Sequence, residues 1–432
     1  MNTSTKKGKG LGEYMPLAFA AGIGSMLGSG IIVGLSATIV VWQEGLGLDT
    51  TQVGLLSGIL TFAIAFGSLF GGRLADKIGR VLFFNWINLF YAIGAVICVF
   101  APNFTVLLIG LIIAGLASGA DLPVSMTIVS HDAPDEATAA QLVSTTQVFW
   151  QVGVFISFIC AFLVSAMQGA TGGRVVFAIL AVFAVIAWLW RLLSPTFRRF
   201  HEAADVRDAA RPAVVGNGKV SVTKVLFGAD KKVLLTYFLA IVIFYVGWNL
   251  LANTWGQFQT YMFSKAGAAQ SLATGLGIIL NFVTLVLNIV FASIAGGKYR
   301  NKAFFAGIVI SLIAMAAMAM GGANLWVIVG ATAFMNLGSP LAGEALYKVW
   351  TQESFPIEIR ASIQGFINGF SRLCCGLFAL ITPALVLPET IQTTMWCFFG
   401  IVIIEGIAGT IMIRAQKKYG TDEERQAHKI AA

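Results

Sequence analysis

The sequence predicts an all-α polytopic membrane protein with twelve transmembrane helices arranged in two six-helix bundles. Of its 432 residues, 57% are hydrophobic and only 11% are charged, whereas about a quarter of the residues in an ordinary soluble protein are charged. Apolar stretches of the roughly 20 residues that a bilayer requires also recur along nearly the whole chain. The chain is therefore not a soluble domain with a single anchor.

The predicted spans form two sets of six on either side of one long polar segment. The first set covers residues 16–42, 52–71, 81–101, 106–130, 140–166 and 175–193. The second set covers residues 233–262, 271–295, 303–320, 325–350, 362–386 and 393–413. We therefore expect an N-terminal bundle at 1–193, a cytoplasmic linker with some surface helix at 194–232, and a C-terminal bundle with a cytoplasmic tail at 233–432.

The two sets are related by an internal repeat. Segment 70–84, "FGGRLADKIGRVLFF", aligns with segment 291–305, "FASIAGGKYRNKAFF". Segment 130–141 aligns with segment 352–364 at nearly the same offset, about half the chain. Two alignments at one offset indicate duplication of a six-span unit, which is the plan of many secondary transporters.

Charge placement predicts the orientation. Lys and Arg cluster before span 1, between spans 2 and 3, between spans 8 and 9, and after span 12, while the opposite connections hold almost none. The positive-inside rule then puts both termini in the cytoplasm, and a bacterial inner membrane is the expected location. The net charge is +8. We expect the basic residues that produce it to contact anionic lipid headgroups rather than nucleic acid. All five cysteines fall inside predicted spans, so no disulfide and no metal site is expected.

One motif lies between spans 2 and 3, in the segment "GGRLADKIGR". Its residues Gly72, Asp76, Lys77, Gly79 and Arg80 match the pattern G-x-x-x-D-R/K-x-G-R. This segment resembles the signature of the major facilitator superfamily. The resemblance implies a cytoplasmic latch whose charge pairs bias a rocking motion between two states.

Two further segments resemble the sugar porters and their metabolite:proton symporter relatives. "ESFPIEIRAS" carries Glu353, Pro356 and Arg360 of a gating loop after span 10, and Gln147 with Gly153 matches a Q-x5-G pattern whose Gln faces the sugar. The chain departs from the sugar porters in lacking their paired glutamines in span 7 and their acid in span 1.

Asp121 is an acid inside the apolar stretch "GLASGADLPVSM". A carboxylate at mid-membrane costs about 2.5–3.5 kcal/mol on insertion scales, so it is rare without a role. Burial favours the protonated form of a carboxyl group, and "GADLP" is similar to a segment of proton-coupled relatives whose Asp takes part in coupling. We predict that Asp121 couples transport to protons; a permanently paired structural Asp and a direct substrate contact are the alternatives.

A polar stripe in span 7 is the predicted substrate surface. Asn249, Asn253 and Gln257 recur every four residues, and Trp255 lies among them. Amides offer donors and acceptors, and indole faces pack against sugar or polyol rings; the alternative is hydrogen bonding between helices. Other candidate substrate residues extend the theme in spans 5 and 8: Gln147, Trp150, Gln151 and Asn281.

Span 10 contains Glu344 and Lys348, four residues apart on one helix face, and span 11 contains Arg372. One interpretation is a self-neutralising Glu344–Lys348 pair inside the membrane. The other is that Lys348 or Arg372 binds an anionic group of the substrate.

These observations predict a proton-coupled symporter of a small polar organic solute, a sugar or polyol, that works by alternating access. The alternative is a symporter of a sugar acid or other organic anion. No nucleophile and base pattern indicates an enzyme, and the polar span residues disfavour a multidrug antiporter. The expected partners are the solute, protons and membrane lipid, with no cofactor beyond the proton gradient and a monomeric state.

Overall fold

A computed structural model describes residues 11–133, 136–209, 226–228, 230–294, 299–422 and 424–425. The regular secondary structure within these ranges is α-helical throughout. The first seven helices are α1 (Leu11–Leu46), α2 (Thr50–Ile78), α3 (Arg80–Val99), α4 (Phe104–Asp132), α5 (Glu136–Leu163), α6 (Thr171–Leu193) and α7 (Pro195–Ala209). The next seven are α8 (Lys231–Lys265), α9 (Gln270–Ile294), α10 (Arg300–Gly321), α11 (Leu325–Gly338), α12 (Glu344–Ser354), α13 (Ile357–Leu385) and α14 (Ile391–Tyr419).

The long apolar helices correspond to the predicted spans. Ten helices in the described ranges are long and apolar enough to cross a bilayer: α1 to α4, α6, α8 to α10, α13 and α14. The shorter apolar segments Val148–Leu163 of α5 and Leu325–Gly338 of α11 fall at the two remaining predicted spans. The predicted fold class, an all-α polytopic membrane protein, is confirmed.

The prediction of one continuous span at 325–350 was wrong. The helix α11 ends at Gly338, and α12 begins only at Glu344. Pro340 lies in the break, where its ring and missing N–H oppose helix continuation. A Cβ atom on Gly343 would lie 2.3 Å from the carbonyl oxygen of Ser339, so the backbone at this position accommodates only glycine. The chain therefore changes course in the middle of this predicted span.

One compact unit comprises Met1–Gly34, Ala63–Ser157 and Gly173–Ala213. In it, α3 packs closely along α4. A Cβ atom on Gly94 would lie 2.5 Å from the amide nitrogen of Ala114, so the two backbones approach as far as glycine allows. The linker helix α7 also packs on this unit: the ring of Phe200 stacks on Tyr14 at 5.0 Å, and His201 pairs with Asp132. The surface helix expected in the linker is therefore present and docked.

The other compact unit comprises Leu35–Phe62, Phe158–Gly172 and Val214–Ala432. It thus joins pieces of α1, α2 and α5 to the helices of the second half. Gln270 donates a hydrogen bond of 2.5 Å to the carbonyl oxygen of Ala37, and Gln257 donates one of 2.9 Å to the hydroxyl of Thr61. These units are defined by packing, and the boundary predicted at 194–232 stays a prediction about the two chain halves.

Candidate substrate site and buried charges

The predicted amide stripe lies on α8, in the second compact unit. Asn249 donates a hydrogen bond of 2.7 Å to the hydroxyl of Ser371 on α13. Gln257 donates one of 2.8 Å to the Oδ1 atom of Asn253, one turn earlier. Gln257 is buried, whereas Asn249 and Asn253 are half-buried. The stripe thus forms a polar surface. Some of its N–H donors already form hydrogen bonds within the protein.

Stacked aromatic rings adjoin this surface. The rings of Tyr245 and Tyr347 stack at 3.8 Å, and the rings of Tyr245 and Trp248 stack at 5.7 Å. The indole N–H of Trp248 donates to the hydroxyl of Ser339 at 2.9 Å, in the break between α11 and α12. The break therefore brings an aromatic stack from α8 and α12 beside the amides of α8.

Trp255 has different surroundings from those expected of a substrate contact. It is buried, with its indole N–H donating to the hydroxyl of Thr332 at 3.3 Å. Its ring also packs against Phe398 at 5.9 Å. In this conformation Trp255 joins α8 to α11 and α14.

Glu344 and Lys348 form an ion pair of 2.8 Å at the start of α12. Their side chains are 47% and 37% exposed, respectively, so the pair lies on an open surface. Arg372 on α13 is half-buried and interacts electrostatically with Glu344. Its guanidinium makes no direct hydrogen bond or ion pair within the described residues, which leaves a cation near the aromatic stack.

The other predicted substrate residues are dispersed between the two units. Trp150 and Gln151 on α5 are half-buried in the first unit, where the carbonyl oxygen of Trp150 accepts a hydrogen bond of 2.7 Å from Ser29. Asn281 on α9, in the second unit, donates to the carbonyl oxygen of Gly277 on its own helix at 2.9 Å. The side chain of Gln147 lies outside the described part of the molecule.

Asp121 is held by an arginine that the sequence did not single out. Both side chains are buried, exposed by 2% for Asp121 and 0% for Arg191. The guanidinium of Arg191 donates to both carboxylate oxygens, at 2.6 and 3.1 Å. Ser125, one turn along α4, donates a further hydrogen bond of 2.9 Å to Asp121. A bidentate pair of this kind is among the stronger hydrogen-bonded contacts in proteins and fixes the orientation of the carboxylate.

Arg191, near the end of α6, also contacts two further helices. It donates to the carbonyl oxygens of Ala20 on α1 at 2.7 Å and of Phe84 on α3 at 3.0 Å. Its guanidinium carbon lies 3.9 Å from the ring centroid of Phe84. The charge pair therefore ties α1, α3, α4 and α6 together.

Arg191 could not be singled out from the sequence because an arginine two residues from the end of a span is ordinarily a flanking charge. Gly24 on α1 lies directly beside the pair. A Cβ atom there would lie 1.8 Å from the Oδ2 atom of Asp121 and 2.9 Å from the Nη2 atom of Arg191. The glycines of span 1 therefore include one that makes room for a buried ion pair.

The predicted latch is described in part. Gly79 has a φ angle of +110°, a conformation that glycine adopts without strain, and it separates α2 from α3. Lys77 and Arg80 are exposed and Gly72 is half-buried. The side chains of Asp76 and Arg360 lie outside the described residues.

Glu353, the acidic latch residue in the C-terminal half, forms contacts with two other helices. Arg300 at the start of α10 pairs with it at 2.6 Å, and Gln416 on α14 donates to it at 3.1 Å. This cluster joins the ends of α10, α12 and α14.

Comparisons with known proteins agree with this architecture. The family model described as Major Facilitator Superfamily matches residues 17–379. The minor myo-inositol transporter IolF of Bacillus subtilis is 30% identical over 407 residues, covering 91% of this chain and 89% of the relative. The probable polyol transporter 4 of Arabidopsis thaliana is 28% identical over 179 residues, covering 41% of this chain and 33% of the relative.

A solved structure shares the fold. The crystal structure of a D-xylose-proton symporter superposes with a TM-score of 0.72 at 14% sequence identity, covering 92% of this chain and 97% of that one. These relatives are membrane transporters and not enzymes. The chain belongs to the major facilitator superfamily and is a transporter of the sugar-porter type.

Proposed function

We propose that this protein is a proton-coupled symporter of a neutral polyhydroxylated solute, a sugar or a polyol, that works by alternating access. The observation that carries the proposal is the polar surface of α8 and α13 beside the stack of Trp248, Tyr245 and Tyr347. The Oδ1 atom of Asn249 accepts no hydrogen bond from another described residue, so it can accept one from a solute hydroxyl.

A second amide oxygen supports this substrate class. The Oδ1 atom of Asn368, one turn before Ser371 on α13, is buried without a hydrogen-bond donor among the described residues. Buried acceptors are ordinarily satisfied, and a hydroxyl-rich solute would supply donors. The names of two relatives, a myo-inositol transporter and a polyol transporter, point to the same chemistry.

Proton coupling requires a carboxyl group that changes its charge during the cycle. The sequence-based candidate is Asp121, and Arg191 holds its carboxylate in the conformation described. Asp121 can therefore take up a proton only in a state in which this pair has opened. The expected result for Asp121→Asn is that uphill accumulation is lost while exchange of solute persists.

A second candidate function is symport of an organic anion. The observation that favours it is Arg372, a half-buried cation without a direct hydrogen bond or ion pair among the described residues. Lys348 is already neutralised by Glu344, so Arg372 would supply most of the attraction. Lys348→Gln should then weaken binding less than Arg372→Gln.

The test is solute-induced proton uptake by purified protein in lightly buffered vesicles. We expect external alkalinisation with myo-inositol and related neutral polyols or sugars, and none with sugar acids. A response to sugar acids alone would replace the proposal with the anion candidate.

A variant then locates the site. Asn249→Ala should raise the KM for the solute about fivefold, because one solute hydrogen bond is worth about 1 kcal/mol. The matched control is Asn336→Ala on α11, which removes an amide that donates to the backbone of Leu280 and should leave the KM unchanged. Equal KM values for Asn249→Ala and the parent protein would remove Asn249 from the site.

A further inference from the structure

A second buried acid lies in the other half of the chain. Glu405 occupies the middle of α14, and its side chain is 3% exposed. It faces Gly247 of α8, where an added Cβ atom would lie 3.0 Å from the Cγ atom of Glu405. The absence of a side chain at Gly247 thus makes the space in which the carboxyl group lies.

No partner among the described residues neutralises Glu405. Within the described residues its carboxyl group makes no hydrogen bond and no ion pair. Along α14 the nearest titratable residues are Cys397 and Arg414, each more than two helical turns away.

The neighbouring helices also offer no charge to Glu405. On α8 the titratable residue nearest to Gly247 is Tyr245, whose ring stacks on Tyr347 instead. The helix α10 packs against α14 with Ile308 beside Gly406. The charged residues of α10, Arg300 and Lys302, lie in its first turn.

An ionised carboxylate in such surroundings is unfavourable by far more than a folded protein can offset, so the group is neutral instead. We propose that Glu405 is a proton-binding site of this transporter, protonated while α14 packs against α8. Release of this proton requires water or a cation to reach the carboxyl group, and therefore requires α8 to move away from α14. Proton binding and the position of α8 are linked in this way.

The position of α8 matters because the same helix carries the candidate substrate surface. At 3.6 residues per turn, Gly247 and Asn249 point roughly 160° apart around α8. Glu405 thus lies behind the helix whose front face presents Asn249. A proton on Glu405 favours the packed position of α8, and a solute bound at Asn249 acts on the same helix. This part of the inference rests on the proposed function.

The first experiment detects the proton itself. Infrared difference spectra between acidic and alkaline pH, recorded on the purified protein in lipid, show the C=O stretch of carboxyl groups that lose a proton. We expect one such band to disappear in Glu405→Gln and to persist in Glu344→Gln, whose acid is paired and exposed. A spectrum that is the same in Glu405→Gln and the parent protein would overturn the proposal. Because this readout needs no substrate, it is independent of the proposed transport function.

The second experiment measures coupling in vesicles. Glu405→Gln keeps the shape and neutrality of the protonated acid, so we expect solute exchange at the parental rate and loss of solute-induced proton uptake. Equal proton uptake by Glu405→Gln and the parent protein would exclude Glu405 from the cycle. If the parent protein itself transports solute without proton uptake, the proposed symport fails, and the infrared band still decides whether Glu405 binds a proton.

Discussion

Asp121 and Glu405 are two buried acids of similar burial with opposite surroundings. Asp121 accepts hydrogen bonds from Arg191 and Ser125, whereas Glu405 faces Gly247 and accepts no hydrogen bond within the described residues. A negative charge on the first would be offset by a guanidinium, and a negative charge on the second would have no partner within the described residues. The comparison shows that burial alone does not identify a proton carrier in a membrane protein. The charge state is decided by which groups surround the carboxyl group.

The two acids also differ in how many helices they connect. Arg191 donates hydrogen bonds to Asp121, Ala20 and Phe84. The pair therefore connects four helices of the first compact unit. Glu405 makes no hydrogen bond within the described part of the chain. Opening the pair of Asp121 would therefore break contacts among four helices, whereas exposing Glu405 would break no hydrogen bond within the described residues.

The largest effect should come from breaking the pair. Arg191→Met leaves Asp121 as an uncompensated buried charge and should lower the free energy of unfolding by about 3–5 kcal/mol. Unfolding in mixed micelles measures this change. The matched control is Arg414→Met on α14, where the arginine is exposed, and it should change stability by less than about 0.5 kcal/mol.

A double variant separates lost charge compensation from lost packing. Arg191→Met combined with Asp121→Leu replaces both charges by apolar groups and should recover most of the lost stability. If the double variant is as unstable as Arg191→Met alone, the contribution of Arg191 is packing and its backbone hydrogen bonds rather than the charge of Asp121.

A smaller effect should come from crowding the pair. In Gly24→Ala the new Cβ atom would lie 1.8 Å from the Oδ2 atom of Asp121. The short side chain of Asp121 is held by two hydrogen bonds from Arg191 and cannot turn away, so the variant should lose about 1–3 kcal/mol of stability. Gly256→Ala on α8, with nothing within 4 Å of the new atom, should instead gain up to about 1 kcal/mol. Equal stabilities of the two variants would show that the pair has room to shift.

The sequence predicted the span architecture well because the bilayer imposes a length and a composition on each helix. The break at 339–343 was missed because "SPLAG" reads as small and apolar, and its geometry depends on Trp248, about 90 residues earlier. Hydropathy averages over a window cannot register a turn of five residues.

The site residues were harder to predict because the type of a residue does not reveal the direction in which its side chain points. Asn249 and Trp255 lie six residues apart on one helix, yet Asn249 is half-buried beside Ser371 and Trp255 is buried against Thr332. The pair of Asp121 and Arg191 joins residues 70 positions apart. The sequence thus showed that an acid was buried in span 4, but its partner appears only once α4 and α6 are packed.

The smallest effect should come from removing the acid of Glu405. Glu405→Met replaces a neutral buried group by an apolar one of similar length, so the free energy of unfolding should change by less than about 1.5 kcal/mol. The matched substitution is Arg191→Met, in which the same residue type replaces a buried charge that has a partner. Unfolding of both variants at the same pH measures the contrast directly. A loss above 3 kcal/mol in Glu405→Met, comparable to the expected loss for a broken ion pair, would mean that Glu405 is charged and compensated. The two buried acids would then be alike, and Glu405 would not be the neutral proton-binding group proposed here.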